Sequence, residues 1–262
     1  LYSSFKISDM DEDAVMIVAP SDHFIENEEK FLKYVQDAFE YCLESDVLMT
    51  LGIEPSEPNT GYGYIQFEAE GGDVKKVLDF TEKPDLETAQ KFLERGDYLW
   101  NAGIFIWSVQ SILKAFGSNL PSMYDLFRKG SGSWNSDRER SFIEENYETS
   151  ENISIDYGIM EKADNVYVMA TEFGWNDLGT WGSLYNKLNK DEQGNALVNA
   201  QAMFKSASRN MVSGPRGKKI VVQGLQDYII VDTEDTLLIF PKAEEQSIKE
   251  VSKEAESKLG SS

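Results

Sequence analysis

Apolar residues follow two rhythms along this chain, and the change from one to the other divides it. Over roughly the first 190 residues, runs of consecutive apolar side chains alternate with stretches where apolar positions recur every three or four residues. The first run is Ala14-Val15-Met16-Ile17-Val18, stopped by Pro20, which cannot extend a ladder. Such a run predicts a strand buried on both faces, as in the middle of a parallel sheet. Phe31, Val35, Phe39 and Cys42 then mark one face of a helix over 26–44, and 47–53 is the next buried strand. Strands near 63–68 and 74–81 flank the turn residues Glu70-Gly71-Gly72-Asp73. Asp85 is placed to cap a helix carrying Leu86, Ala89, Phe92 and Leu93, which ends at Gly96. An apolar strand over 99–107 follows, and Ser108 caps the helix after it. Residues 129–139 are polar and rich in Gly and Ser, the pattern of a mobile loop. Phe142 and Ile143 fall in a short helical stretch, and 166–170 is a further strand. Strands separated by helices predict an α/β fold with a doubly wound or mixed sheet.

After about residue 190 the helical rhythm disappears. Short apolar runs recur around Val212, Val221, Ile230 and Ile239, nine residues apart each time. That step predicts a small β-rich domain with a β-helix-like stack. Ile248, Val251, Ala255 and Leu259 lie on one face of a terminal amphipathic helix. The predicted division is 1–190 and 191–262. The β-rich part and its helix suit a homodimer contact as well as packing on their own domain.

Charge narrows the function classes. With 25 basic and 46 acidic residues the net charge is -21, which argues against nucleic-acid and anionic-membrane partners. An anionic substrate must then be met by local positive groups or a divalent cation. One cysteine, Cys42, excludes an internal disulfide and points to a reducing, cytoplasmic compartment. One histidine, His23, excludes a multi-histidine metal centre. No run approaches the ~18 apolar residues that a membrane span needs. The chain opens without Met inside a helical pattern, as a fragment would.

Candidate chemistry gathers at strand ends, where open α/β sheets bind ligands. Asp22 follows the first strand, and either caps a turn or holds a Mg²⁺ ion that grips phosphates. Asp177, between Gly174-Trp175 and Leu178-Gly179, is either a helix cap or a second metal carboxylate. The acidic triplet Asp11-Glu12-Asp13 precedes its strand, at the wrong edge for a site, and reads as a solvated turn. Glu82 and Lys83 end a strand, where a carboxylate can accept two sugar hydroxyls and an ammonium can neutralise a phosphate. Asn101 interrupts an apolar strand and needs an internal partner or a polar ligand, because an unpaired buried amide costs about 1–3 kcal/mol. Gly61-Tyr62-Gly63-Tyr64 is a tight turn or a surface for close sugar approach. Asp156, in a locally apolar segment, is a cap or a hydroxyl acceptor.

The order of these pieces resembles the sugar-1-phosphate nucleotidyltransferases, and within them the mannose-1-phosphate guanylyltransferases that make GDP-mannose. The matching segments are Val18-Ala19-Pro20-Ser21-Asp22-His23, Pro58-Asn59-Thr60-Gly61-Tyr62-Gly63-Tyr64-Ile65, Phe80-Thr81-Glu82-Lys83-Pro84 and Trp100-Asn101-Ala102-Gly103-Ile104-Phe105. They continue through Ser154-Ile155-Asp156-Tyr157 and Trp175-Asn176-Asp177-Leu178-Gly179-Thr180-Trp181, with a β-rich match at Val222–Thr233. The resemblance implies a Rossmann-like mixed sheet of the nucleotidyltransferase type. It implies that Asp22 and Asp177 ligate Mg²⁺ and that Glu82 and Asn101 hold mannose hydroxyls. Lys83 would meet the sugar phosphate, with Gly61, Tyr64 and Asp156 bordering the pocket. The implied partners are mannose 1-phosphate and GTP or GDP-mannose. One departure is marked: that family opens with a glycine-rich loop bearing Arg and then Lys, whereas the first glycine here is Gly52. A sugar-phosphate pocket without a competent GTP site is therefore expected in these residues. Two alternatives stand beside it: a related enzyme for another sugar or base, and a non-catalytic regulatory homologue that binds sugar phosphate.

Overall fold

The computed structural model describes residues 1–70 and 72–260. The chain forms two compact units: Leu1–Ser21 with Ile25–Trp175, and Asp22–Phe24 with the chain from Asn176 onward. Composition changes near residue 190; the junction in space lies at 175/176 and sends Asp22–Phe24 to the second unit. No helix among the described residues is long and apolar enough to cross a membrane.

Strands β1 (Val15–Val18), β2 (Phe24–Ile25), β3 (Leu48–Ile53), β4 (Tyr64–Phe67), β5 (Val74–Thr81), β6 (Tyr98–Ser108), β7 (Val166–Thr171) and β8 (Trp175–Asn176) follow in chain order. Six of them make the mixed sheet of the first unit, ordered β1-β6-β3-β7-β5-β4, with β4 also pairing β6. β3 and β7 run parallel, and the other pairs are antiparallel. The apolar runs are explained by a core on each face. Leu48, Phe105, Trp107, Val166 and Val168 pack into one cluster, while Met49, Leu51, Ile104, Ile106 and Met169 pack into the other. Because successive strand side chains point to opposite faces, a strand covered on both sides has no polar alternate. Cys42 is buried in the second cluster, and burial pushes its thiol up to about 12.

β1 departs from expectation. It lies at the end of the order and pairs antiparallel with β6, from Val15↔Ser108 to Val18↔Phe105. Met16 is buried, but Ile17 is 36% and Val18 42% exposed. An apolar run reports strand character, not the number of neighbours; no second described strand flanks β1 in this sheet. The two expected helix caps form, Asp85 and Ser108 accepting from the N–H of Thr88 and Ser111 at 2.8 and 3.0 Å, and Asn27 adds a third, accepting from the Lys30 N–H at 2.9 Å. The segment 129–139 is not the detached loop its polar composition suggests. Trp134 is 4% exposed and packs edge-on to Phe142 at 5.1 Å, so one aromatic anchors it. The turn expected at 70–73 includes Gly71, which lies outside the described residues.

In the second unit, β9 (Ala196–Val198), β10 (Gln201–Lys205), β11 (Met211–Ser213), β12 (Lys219–Gln223), β13 (Tyr228–Asp232) and β14 (Leu237–Pro241) form two ladders. β9, β11 and β13 stack in parallel in one, and β10 and β12 in the other. Consecutive strands alternate between ladders, so the nine-residue step is half a coil of a β-helix-like stack. β14 ends the stack by turning antiparallel against β13. Val212, Val222 and Ile230 fill its interior. The terminal helix Ile248–Leu259 is present, with none of its residues buried.

Candidate active site

In the first unit, the ends of β4, β5 and β6 bring one cluster of polar side chains together. Asn101 sits in β6 beside a register shift between Thr50 and Gly52 of β3, and Gly103 there has φ 68°. The Asn101 Oδ1 accepts from the Gly103 N–H at 3.0 Å and the Thr50 hydroxyl at 3.1 Å. Its Nδ2 donates to Asp156 Oδ1 at 3.1 Å. The backbone N–H of Asn101 donates to the Gly63 carbonyl at 2.8 Å, and that of Lys83 to the Tyr62 carbonyl at 3.2 Å. These bonds place Glu82 next to Gly63: a Cβ there would lie 2.5 Å from Glu82 Oε2 and 3.4 Å from Asn101 Cβ.

Glu82 pairs with the Lys83 ammonium, and their side chains are 11% and 60% exposed. Lys83 has φ 48°, an uncommon conformation for a side-chain-bearing residue, and the following Pro84 already disfavours the right-handed helical region. Asp156 opens a π-helical turn, Asp156–Met160, a feature frequent at functional sites. Burial, and then the charge of Glu82, raise its carboxyl above the ordinary aspartate value; Lys83 and Asn101 oppose this in part. Glu161 is raised for the same two reasons. The cluster thus holds closely spaced carboxylates beside one ammonium, the polar lining that several hydroxyls and a phosphate require.

The sign of the Asp156 shift gives a prediction. Between the ordinary aspartate value and the raised folded value, the folded chain holds more protons than the unfolded one. Stability is therefore lost as pH rises through that window. Asp156→Asn keeps an acceptor for Asn101 and removes the buried charge, so its Tm should exceed the parent's at neutral pH. The two should converge below about pH 4. A pH series of melting curves checks this; parallel curves with no convergence would count against it.

Other expected positions fall differently. Tyr64 is fully buried, and its hydroxyl donates to the Asn59 carbonyl at 3.0 Å. The Gly61 N–H donates to Asn59 Oδ1 at 2.8 Å. Both therefore close the 59–64 turn, and Tyr64 offers a ligand no accessible atom. In this stretch Gly63 lies against Glu82 and Asn101, the Tyr62 carbonyl receives the Lys83 N–H, and Thr50 bonds Asn101 from β3. The buried-polar argument that singled out Asn101 applies equally to Thr50, a hydroxyl in an apolar run. Gly63→Ala should displace Glu82 and weaken binding of a sugar phosphate, the ligand the sequence resemblance implies, about tenfold, the loss of roughly one good polar contact. Calorimetry measures this; unchanged affinity would show that Glu82 is not held against Gly63.

Asp22 and Asp177 both belong to the second unit. Asp177 does not cap the helix Trp181–Lys187: Thr180 does, accepting from the Ser183 N–H at 3.0 Å. Leu178 has φ 50°, and a Cβ on Gly179 would lie 2.5 Å from Asp177 Oδ2, so a glycine there leaves room for the carboxylate. Asp156 is no simple cap either, since it receives Asn101. Asp11 accepts from the Asp13 N–H at 3.0 Å in an exposed turn, as expected for the acidic triplet. Among the described residues no group of three or more His, Cys, Asp or Glu is placed to hold a metal.

Comparison with known proteins gives the family. Residues 3–194 match the Nucleotidyl transferase family model. Mannose-1-phosphate guanylyltransferase from Salmonella muenchen is 35% identical over 244 residues, covering 92% of this chain and 51% of that protein. The Escherichia coli protein of the same name is 29% identical over 252 residues, covering 94% and 54%. The chain thus spans about half the length of the curated relatives it matches. A crystal structure described as mannose-1-phosphate geranyltransferase from Thermus thermophilus superposes with a TM-score of 0.85 at 27% identity, covering 97% of this chain and 73% of that one. The chain belongs to the nucleotidyl transferase family.

Proposed function

We propose that this chain supplies the sugar-phosphate half of a guanylyl transfer from GTP to α-D-mannose 1-phosphate, giving GDP-mannose and pyrophosphate. The observation that carries the sugar half is the Glu82–Asn101–Asp156 cluster around Gly63, with the Lys83 ammonium at its side. Glu82 and Asp156 accept mannose hydroxyls, Asn101 donates to one, and Lys83 neutralises the phosphate. In the reaction an oxygen of that phosphate attacks the α-phosphorus of GTP in line. The bond from the α-phosphorus to the bridging oxygen breaks, and pyrophosphate leaves with the electron pair. Catalysis of this kind is mostly alignment and charge neutralisation. The relatives bearing the guanylyltransferase name support the choice of sugar and base.

Asp22 and Asp177 would hold Mg²⁺. Both are carboxylates, the hard oxygen donors that suit this ion, and phosphate oxygens and water would complete its coordination. Mg²⁺ is commonly bound in that way, and when bound it offsets charge on the transferring phosphoryl oxygens.

Calorimetric titration with mannose 1-phosphate, with and without Mg²⁺, tests the sugar half. Binding of mannose 1-phosphate well above that of glucose 1-phosphate is expected. Equal affinity for both, or for neither, overturns the assignment.

A further inference from the structure

We propose that Thr50 is a positioning residue whose hydroxyl, together with the donor-only Gly103 N–H, holds the side-chain amide of Asn101 so that Nδ2 rather than Oδ1 meets Asp156. The inference rests on the cluster around Gly63 being a sugar-phosphate pocket. Thr50 is fully buried in β3, and its Oγ1 lies 3.1 Å from Asn101 Oδ1 and 3.3 Å from the Ile104 carbonyl. Both acceptors belong to the irregular part of β6, where a regular ladder partner is missing opposite Leu51. One hydroxyl proton serves two acceptors, and the Asn101 oxygen is the nearer.

The consequence follows from the asymmetry of an amide. Its two ends are almost the same shape but opposite in hydrogen-bonding sense. With Oδ1 occupied by the Thr50 hydroxyl and the Gly103 N–H, the donor end is turned to the Asp156 carboxylate. Nδ2 carries a second proton beyond the one given to Asp156, and that proton suits a sugar hydroxyl oxygen. A flipped amide would set Oδ1 against the Asp156 carboxylate, acceptor against acceptor. It would also present an acceptor to a pocket already rich in them. The Gly103 N–H, which can only donate, excludes the flip, and the Thr50 hydroxyl adds a second donor that holds the amide in place without touching the pocket's contents. The bland alternative is that Thr50 only fills the bulge, and this predicts lower stability with unchanged affinity in the folded protein.

Thr50→Val keeps the shape and removes the hydroxyl; Thr50→Ser keeps the hydroxyl and removes a methyl group. In the full 262-residue chain, Thr50→Val should weaken mannose 1-phosphate binding about five- to tenfold, the scale of one lost hydrogen bond. Thr50→Ser should stay within about twofold, and adding Thr50→Val to Asn101→Ala should cost nothing further. Without ligand, the Asn101 side-chain amide signals in a ¹H–¹⁵N spectrum, identified by their loss in Asn101→Ala, should shift or broaden in Thr50→Val and not in Thr50→Ser. Unchanged amide signals in Thr50→Val overturn the proposal, as does Thr50→Ser losing as much affinity as Thr50→Val. If the parent chain binds no sugar phosphate, the functional assignment falls, and the amide signals still decide the role of Thr50.

Discussion

Asp177→Asn should weaken retention of Mn²⁺, used as a spectroscopic stand-in for Mg²⁺ in the presence of GDP-mannose, by about 10²-fold. Losing a group that merely orients a metal ligand costs 10–100-fold, and loss of a direct ligand lies at or above the top of that range. The substitution is nearly isosteric, so Leu178 at φ 50° and the Asp177 side chain against Gly179 keep their places. What is removed is charge: an amide oxygen is a poorer ligand for a hard dication than a carboxylate. The helix Trp181–Lys187 is capped by Thr180, so the substitution leaves that cap in place. Asp22→Asn should behave alike, and the double variant should add little once the ion is gone. Electron paramagnetic resonance of free against bound Mn²⁺ measures each case. A variant that keeps the parent's affinity would remove Asp177 from the metal assignment. A large fall in Tm would restore a structural role to it.

Much of the fold was legible because its signals are local. A covered strand cannot hide its apolar run, and Asp85 and Ser108 announce helix starts through a single side chain each. The half-coil step of the second unit shows as a spacing, although the alternation between two ladders does not. Features set by distant partners were harder to see. The exposure of Ile17 and Val18 depends on which strands flank β1, and nothing within β1 records that. Trp134 looks like one aromatic in a polar loop until its contact with Phe142 is known. In the Gly61-Tyr62-Gly63-Tyr64 stretch, spacing marks a turn without saying which residue meets the cluster. The answer is fixed by Asn101 bonding to the Gly63 carbonyl across the sheet. The polar residues of the cluster were visible one at a time, each with a bland alternative. Asn101 joins Thr50 and Asp156, residues 51 and 55 positions away, and that convergence belongs to the sheet.

Asn210→Ala should destabilise the second unit by about 2–4 kcal/mol, the sum of one part-buried backbone N–H left unpaired at roughly 1–3 kcal/mol and one further lost hydrogen bond at about 1 kcal/mol. Asn210 is fully buried and Asn195 is 2% exposed, and the two stack one coil apart. Asn210 Nδ2 donates to the Leu225 carbonyl at 2.9 Å and to Asn195 Oδ1 at 3.1 Å, while its Oδ1 accepts from the Tyr228 N–H at 2.9 Å. Asn195 Nδ2 donates in turn to the Ala207 carbonyl at 3.1 Å. At the corners of a coil the backbone has left one ladder and not yet joined the next, so its polar groups need side-chain partners. Alanine leaves the Tyr228 N–H without the Asn210 acceptor, while the Leu225 carbonyl loses one donor and keeps the Ser208 N–H at 3.1 Å. Asn210→Asp should be at least as damaging, since a carboxylate cannot donate to Leu225 and its charge would be buried. Denaturant unfolding of the full chain measures the loss. The Glu82–Asn101–Asp156 cluster belongs entirely to the first unit, so mannose 1-phosphate affinity in the folded variant should be retained. Stability within about 1 kcal/mol of the parent would mean that water replaces the amide and that the asparagine stack is not what closes the coils.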